Sequence, residues 1–110
     1  MNNLTIIGRL GAEPVVRTTK ETIVARISLG VNHKKDNVEE TEWLEVILWN
    51  NLASVAQQYY HTGEKVYVKG HLSSHSYEYN ERAALNVTQI VADDIEKLST
   101  AKRNIQEQSK

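Results

Sequence analysis

The sequence predicts an all-β fold, a five-stranded barrel with one α-helix between its third and fourth strands. Three observations carry this. Apolar and polar residues alternate through most of the 110 residues, the period of a strand with one buried face. The single stretch with a helical apolar period lies between Asn50 and Gly63. Gly8 and Gly11 flank a point in the first strand where missing side chains let a strand curl or bulge.

The elements follow in order. Leu4, Ile6, Gly8 and Leu10 alternate with Thr5, Ile7 and Arg9 in a first strand. Pro14, the only proline, breaks the ladder and starts a short extension, Val15 to Thr18. Ile23, Ala25, Ile27, Leu29 and Val31 mark the second strand, and the polar run Asn32 to Glu40 reads as a mobile hairpin loop. Thr41 to Trp49 (TEWLEVILW) is the third strand. Asn50 or Asn51 then caps a helix with Leu52, Val55, Ala56 and Tyr59 on one stripe, ended by Gly63. The fourth strand runs from about Lys65 to Tyr79, and Asn80, Glu81 and Arg82 turn the chain. A fifth strand spans Ala84 to Ala92, with Asp93 to Leu98 as its extension or a short cap. Residues 1–98 form the domain, and Ser99 to Lys110 is a polar tail expected to be disordered.

The third strand carries the strongest chemical signal. Leu44, Val46 and Leu48 make an aliphatic face, the natural core. Trp43, Glu45, Ile47 and Trp49 then share the other face, so both tryptophans of the chain point outward. The fourth strand repeats the division. Val66, Val68, Gly70 and Leu72 alternate with Tyr67, Lys69, His71, Ser73, His75, Tyr77 and Tyr79. Outward rings can stack on unpaired bases of any identity, and cations between them can neutralise phosphates. The competing reading is that such rings serve packing or subunit contacts. For Tyr67, early in its strand, that reading is preferred.

Composition sets limits. The length fits one domain. The absence of cysteine excludes a disulfide framework or a thiolate metal site and fits a reducing compartment. No apolar run approaches the ~20 residues of a membrane span, and the N-terminus reads as a strand rather than a signal peptide. The net charge is −1, so any positive field must come from local clusters such as Arg9, Arg17, Lys20, Lys34, Lys35 and Lys69. Lys34 and Lys35 read equally as phosphate contacts or as a solvated loop. His71 and His75 lie about 13 Å apart on a strand, at ~3.3 Å per residue, too far for one metal ion. Asp93 and Asp94 read as a solvated strand end. No nucleotide loop, nucleophile elbow or zinc motif is present, so neither enzyme, metal nor cofactor is expected.

Five strands with a helix after the third is the order of the Greek-key oligonucleotide/oligosaccharide-binding (OB) barrel. The motifs go further. NNLTIIGRLGAEPVVR, TIVARISLGVN, TEW with an aliphatic run ending in an aromatic, LASVAQQYYHTGEKVYVKGHL and VTQIVADDIEKL occur in that order. Together they resemble the bacterial single-stranded DNA-binding proteins (SSB) over about Asn2 to Leu98. The resemblance implies an OB fold and binding of single-stranded DNA without sequence preference in replication, repair or recombination. It also implies a cytoplasmic homo-oligomer, a tetramer of paired dimers ahead of a dimer. By position, Trp43 and Trp49 correspond to stacking aromatics and Tyr77 to the aromatic of the fourth-strand hairpin, with Tyr79 as an additional candidate. Arg9, Arg17 and Lys69 fall near the strand path.

Departures from the family pattern are specific. His33, Lys34 and Lys35 stand near where members often carry an aromatic, and Glu45 lies between the tryptophans. The chain ends AKRNIQEQSK rather than in a long linker and acidic tip, so recruitment of replication enzymes through a tip is not expected. This short-tailed character is known among paralogues and proteins of phages or mobile elements. The low charge, Glu45 and the tail keep a second reading open, a primosomal-type assembly factor whose main partner is a helicase or polymerase.

Overall fold

A computed structural model describes residues 2–80 and 83–99, with the backbone alone described at 75–80 and 83–87. Six strands and one helix follow in the order β1 (Leu4–Leu10), β2 (Val15–Thr18), β3 (Ile23–Lys35), β4 (Val38–Trp49), α1 (Asn51–Tyr59), β5 (Lys65–Asn80) and β6 (Ala83–Ser99). Among the described residues, no helix is long and apolar enough to cross a membrane.

Five strands close a circuit. β1 pairs with β5 on one side and with β3 on the other. β5 pairs with β6, and β3 with β4. The ring is completed where β4 meets β6 in parallel, Val46 opposite Ile90 and Ile47 opposite Val91. This is the predicted five-stranded barrel, with the helix between its third and fourth strands. The Val15–Thr18 extension is a strand of its own, β2, laid on the outer edge of β3 and outside the circuit.

The alternation places the core as the residue pattern requires. Ile6, Leu10, Ala25, Ile27, Leu29, Val46, Leu48, Val66 and Val68 are buried inside the barrel. Each fully buried Leu, Ile or Val there contributes roughly 1.5–3 kcal/mol. β6 changes its inward set part-way along. Lys69 lies opposite Asp94 but Gly70 opposite Ala92, so Asp93 is an extra residue, a bulge. It turns the buried positions from Ala92 to Ile95 and lets Lys97 reach the buried Glu64 at 3.3 Å. Asp93 Oδ2 lies 3.0 Å from His71 Nδ1, so His71 is engaged in a hydrogen bond rather than presented as a free polar group.

Several local expectations are corrected. The polar run after the second predicted strand is no loose loop. β3 continues to Lys35, Asp36 and Asn37 turn with φ of 53° and 65°, and β4 begins at Val38. Two residues with positive φ make the tight hairpin turn that matches strand twist, and Asp and Asn tolerate it. Asn50 precedes the helix but does not cap it with its side chain. Its Oδ1 accepts from Ile23 N at 3.4 Å instead, tying the helix start to β3. The helix buries Ala53 and Ala56, with Tyr60 beyond its end, and leaves Val55 and Tyr59 exposed. Leu52 also packs against the core, so the buried stripe is Leu52, Ala53 and Ala56. Gly63 serves not the helix terminus but the following turn, where its φ is 89°. Of the two alternatives for Asp93–Leu98, the extension holds: past the Asp93 bulge β6 continues to Ser99. The predicted turn residues Glu81 and Arg82, and the tail from residue 100, lie outside the described residues.

Two peripheral clamps hold the chain ends of β1. Asn2 donates through Nδ2 to Leu72 O at 2.7 Å and accepts from Leu72 N at 3.0 Å, so an amide side chain extends the β1–β5 ladder. Past β1, the Glu13 carboxylate accepts from Thr62 N and Thr62 Oγ1, both at 2.8 Å, and lies 3.0 Å from His61 Nδ1. The Thr62 amide first, and then the His61 and Thr62 side chains, hold the Glu13 carboxyl down from 4.5 to about 2. An acid depressed by folding contributes stability above its unfolded value and loses it as pH falls through the folded value. Wild type should therefore melt above Glu13→Gln near neutral pH, with the gap closing between about pH 4.5 and 2. A gap unchanged across that window in thermal melts contradicts the clamp.

Candidate nucleic-acid interface

The outer face of the barrel is organised by strand register. Arg9 of β1 lies opposite Gly30 of β3, and Gly30 lies opposite Trp43 of β4. On the other side of β1, Lys65 of β5 lies opposite Arg9. Directly opposed residues share a face, so Lys65, Arg9, Gly30 and Trp43 form one row across four strands. A second, shorter row again pairs an arginine with a tryptophan. Arg17 of β2 lies opposite Val24 of β3, and Val24 opposite Trp49 of β4. Each tryptophan thus stands two strands from an arginine, with a glycine or a valine between them.

Both indoles are open to solvent, Trp43 at 59% and Trp49 at 48%. Neither ring is in the core. The Trp43 ring lies across β3 on a seat made by glycine. A Cβ on Gly30 would sit 2.9 and 3.0 Å from ring atoms Cζ3 and Cη2, and one on Gly11 would sit 2.5 Å from Cζ3. The groove beside this ring holds about 650 Å3 and includes Ile7, Arg9, Thr41 and Lys65. Arg9 is held there by a hydrogen bond from Nη1 to Gly63 O at 2.9 Å. Among the described residues no carboxylate pairs with it.

Trp49 borders a smaller groove of about 230 Å3, between β2, β3, β4 and the Gln89 end of β6. Its floor is Ile47, which faces outward by alternation yet is only 7% exposed, because Arg26, β2 and the β4–β6 closure surround it. Val15 and Val24 add apolar wall, and Arg17 and Arg26 add charge. Arg26 Nε lies 3.4 Å from Glu45 Oε2. The carboxylate between the two tryptophans is therefore neutralised by its diagonal neighbour on β3.

The other predicted positions are distributed unevenly. Lys34 and Lys35 lie at the end of β3 on an exposed two-stranded arm, opposite Glu39 and Val38. His33, on the same arm, is 4.0 Å from both Glu40 and Glu42. The arm is thus mixed in charge. Lys69 is exposed on β5 between Thr5 and Asp94 and lines neither groove. It is four residues, or about 13 Å at ~3.3 Å per residue, from Lys65. Tyr77 and Tyr79 belong to β5, with the Tyr77 backbone opposite Leu85; their side chains lie outside those described. Lys65, Arg26 and Gly30 were not singled out by sequence. The outward parity of Arg26 and Gly30 in β3 was readable, but their neighbours on other strands were not.

The architecture has solved counterparts. A chain described as Plasmodium falciparum SSB in complex with ssDNA superposes with a TM-score of 0.76 at 24% identity, covering 90% of this chain and 96% of that one. Residues 1–98 also match the sequence model of the single-strand binding protein family. The chain belongs to that family. Among its relatives is single-stranded DNA-binding protein 1 of Chlorobaculum tepidum, 30% identical over 105 residues, 89% of this chain and 65% of that protein. The single-stranded DNA-binding protein of Staphylococcus aureus MRSA252 is 31% identical over 108 residues, 94% of this chain and 69% of its own length. Protein 3 of Clostridium acetobutylicum is 29% identical and is covered over 75% of its length. The match to the SSB family spans every strand of the barrel.

The glycine seat makes a direct prediction. Gly30→Ala should lift the Trp43 ring while leaving the barrel folded, since Gly30 has ordinary strand geometry. With Trp49→Phe as background, acrylamide quenching of the remaining indole should rise. Unchanged quenching means that the ring does not rest on Gly30.

Proposed function

We propose that this chain is a non-catalytic module that binds and protects single-stranded DNA without sequence preference, in replication, repair or recombination. The observation that supports it most is the repeated row, an exposed tryptophan aligned across the sheet with an arginine. A nucleotide offers one flat apolar face and one anionic phosphate, and a ring with a cation nearby complements both. In this reading bases stack on Trp43, Trp49 and Tyr77, with Tyr79 as a further platform. Arg9, Arg17, Lys34, Lys35 and Lys69 track phosphates, joined by Lys65 beside Arg9.

The same reading includes a homo-oligomer, a tetramer ahead of a dimer, acting in the cytoplasm at the nucleoid. Val55 and Tyr59 on α1 support it, because they are apolar, exposed and absent from both grooves. The assembly-factor reading keeps the low net charge in its favour. It loses one of its supports, since Glu45 is paired with Arg26.

Trp43→Ala and Trp49→Ala should each weaken binding to a dT oligomer by about 1–3 kcal/mol, the usual worth of one stacked base. Both variants should keep their melting temperature, because both rings are exposed. Wild-type affinity in both folded variants contradicts the proposed site. Absent binding together with a co-purifying helicase or polymerase favours the assembly factor.

A further inference from the structure

We infer that Glu13 is a positioning residue for the Trp43 station, acting through the backbone without touching the bound strand. The inference rests on the proposed function for its binding readout, and on geometry alone for its conformational one.

Glu13 lies in the corner between β1 and β2, two residues past Gly11. Gly11 forms part of the seat of the Trp43 ring. The corner is laced to the turn at residues 61–64 by a series of hydrogen bonds. Leu10 N donates to Glu64 O at 3.0 Å, and Gly63 N to Leu10 O at 2.8 Å. Arg9 Nη1 donates to Gly63 O at 2.9 Å. On the seat side, Gly11 N donates to Ser28 O at 3.0 Å. Beyond Gly11 the only side-chain tie of the corner among the described residues is Glu13, whose carboxylate meets His61 Nδ1, Thr62 N and Thr62 Oγ1 within 3.0 Å. The turn so held also supplies Gly63, which lines the Trp43 groove and anchors Arg9. One carboxylate therefore adds the side-chain tie between the corner that seats the ring and the turn whose carbonyl aims the cation.

The sign of the effect separates positioning from simple electrostatics. Glu13 is an anion near a surface proposed to hold a polyanion. If it acted only through its charge, its removal would tighten binding. As a positioning residue, its removal loosens the corner and weakens binding.

The test compares wild type, Glu13→Ala, Glu13→Gln and Trp43→Ala, alone and combined. Glu13→Ala should weaken dT-oligomer affinity about five- to tenfold, part of the loss expected for removing a stacked ring altogether. Glu13→Gln keeps an oxygen for the Thr62 amide and should recover part of the loss. In a Trp43→Ala background Glu13→Ala should cost less affinity than in wild type, only the part acting through Arg9 remaining, since coupled residues are not additive. Without DNA, and with Trp49→Phe, Glu13→Ala should raise acrylamide quenching of the Trp43 indole. Equal or tighter binding by folded Glu13→Ala, or full additivity with Trp43→Ala, overturns the inference and leaves the DNA reading standing. If wild type binds no dT oligomer, the DNA reading fails, and unchanged quenching of the indole then overturns the positioning role independently.

Discussion

Strand β1 pairs with two neighbours at once, and the rest of the molecule depends on that double pairing. From Leu4 to Arg9 it follows β5, and at Arg9 and Leu10 it also meets β3. Two backbones can approach so closely only where side chains are missing. A Cβ on Gly8 would stand 2.8 Å from Gly30 O. Glycine at position 8 lets β1 bend across the sheet and close the barrel, while Gly30 leaves room for the Trp43 ring. The same closure brings Arg9 into line with Gly30 and Trp43. The constraint that makes the fold thus also makes the first of the two proposed stations.

The second station is built by addition rather than closure. β2 lies outside the barrel circuit and contributes four residues along the edge of β3. That short strand brings Arg17 into line with Val24 and Trp49 and supplies Val15 as a wall over Ile47. The stations are six residues apart on β4, or about 20 Å at ~3.3 Å per residue. The stretch between them is not repulsive, because Arg26 meets Glu45. A chain of low net charge still sets cations beside its exposed rings, Arg9 and Lys65 in the Trp43 row and Arg17 in the Trp49 row.

Much of this was legible in the sequence. Period-two alternation identified the barrel strands, and the parity of Trp43 and Trp49 against Leu44, Val46 and Leu48 placed both indoles outside. What escaped was set by contacts between distant segments. The helix stripe was half right: Leu52 and Ala56 pack on the core, but Ala53 is buried where Val55 and Tyr59 stay exposed, a rotation that apolarity alone does not encode. The arm at Asp36 and Asn37 reads as a polar loop, although two residues tolerant of positive φ suffice for a tight turn. Lys65 alternates outward on β5 as Lys69 does, but only the register with β1 sets it beside Arg9. Arg26 and Glu45 lie 19 positions apart in the sequence and become neighbours through the β3–β4 register.

The central claim is that both open indoles receive unpaired bases. Its most direct test is a fluorescence titration of two single-tryptophan proteins, Trp43→Phe and Trp49→Phe, with oligo-dT. The account predicts that emission is quenched in both, with the same saturation point, because each remaining ring is stacked in one complex. Saturable binding that leaves either indole's emission unchanged would contradict it.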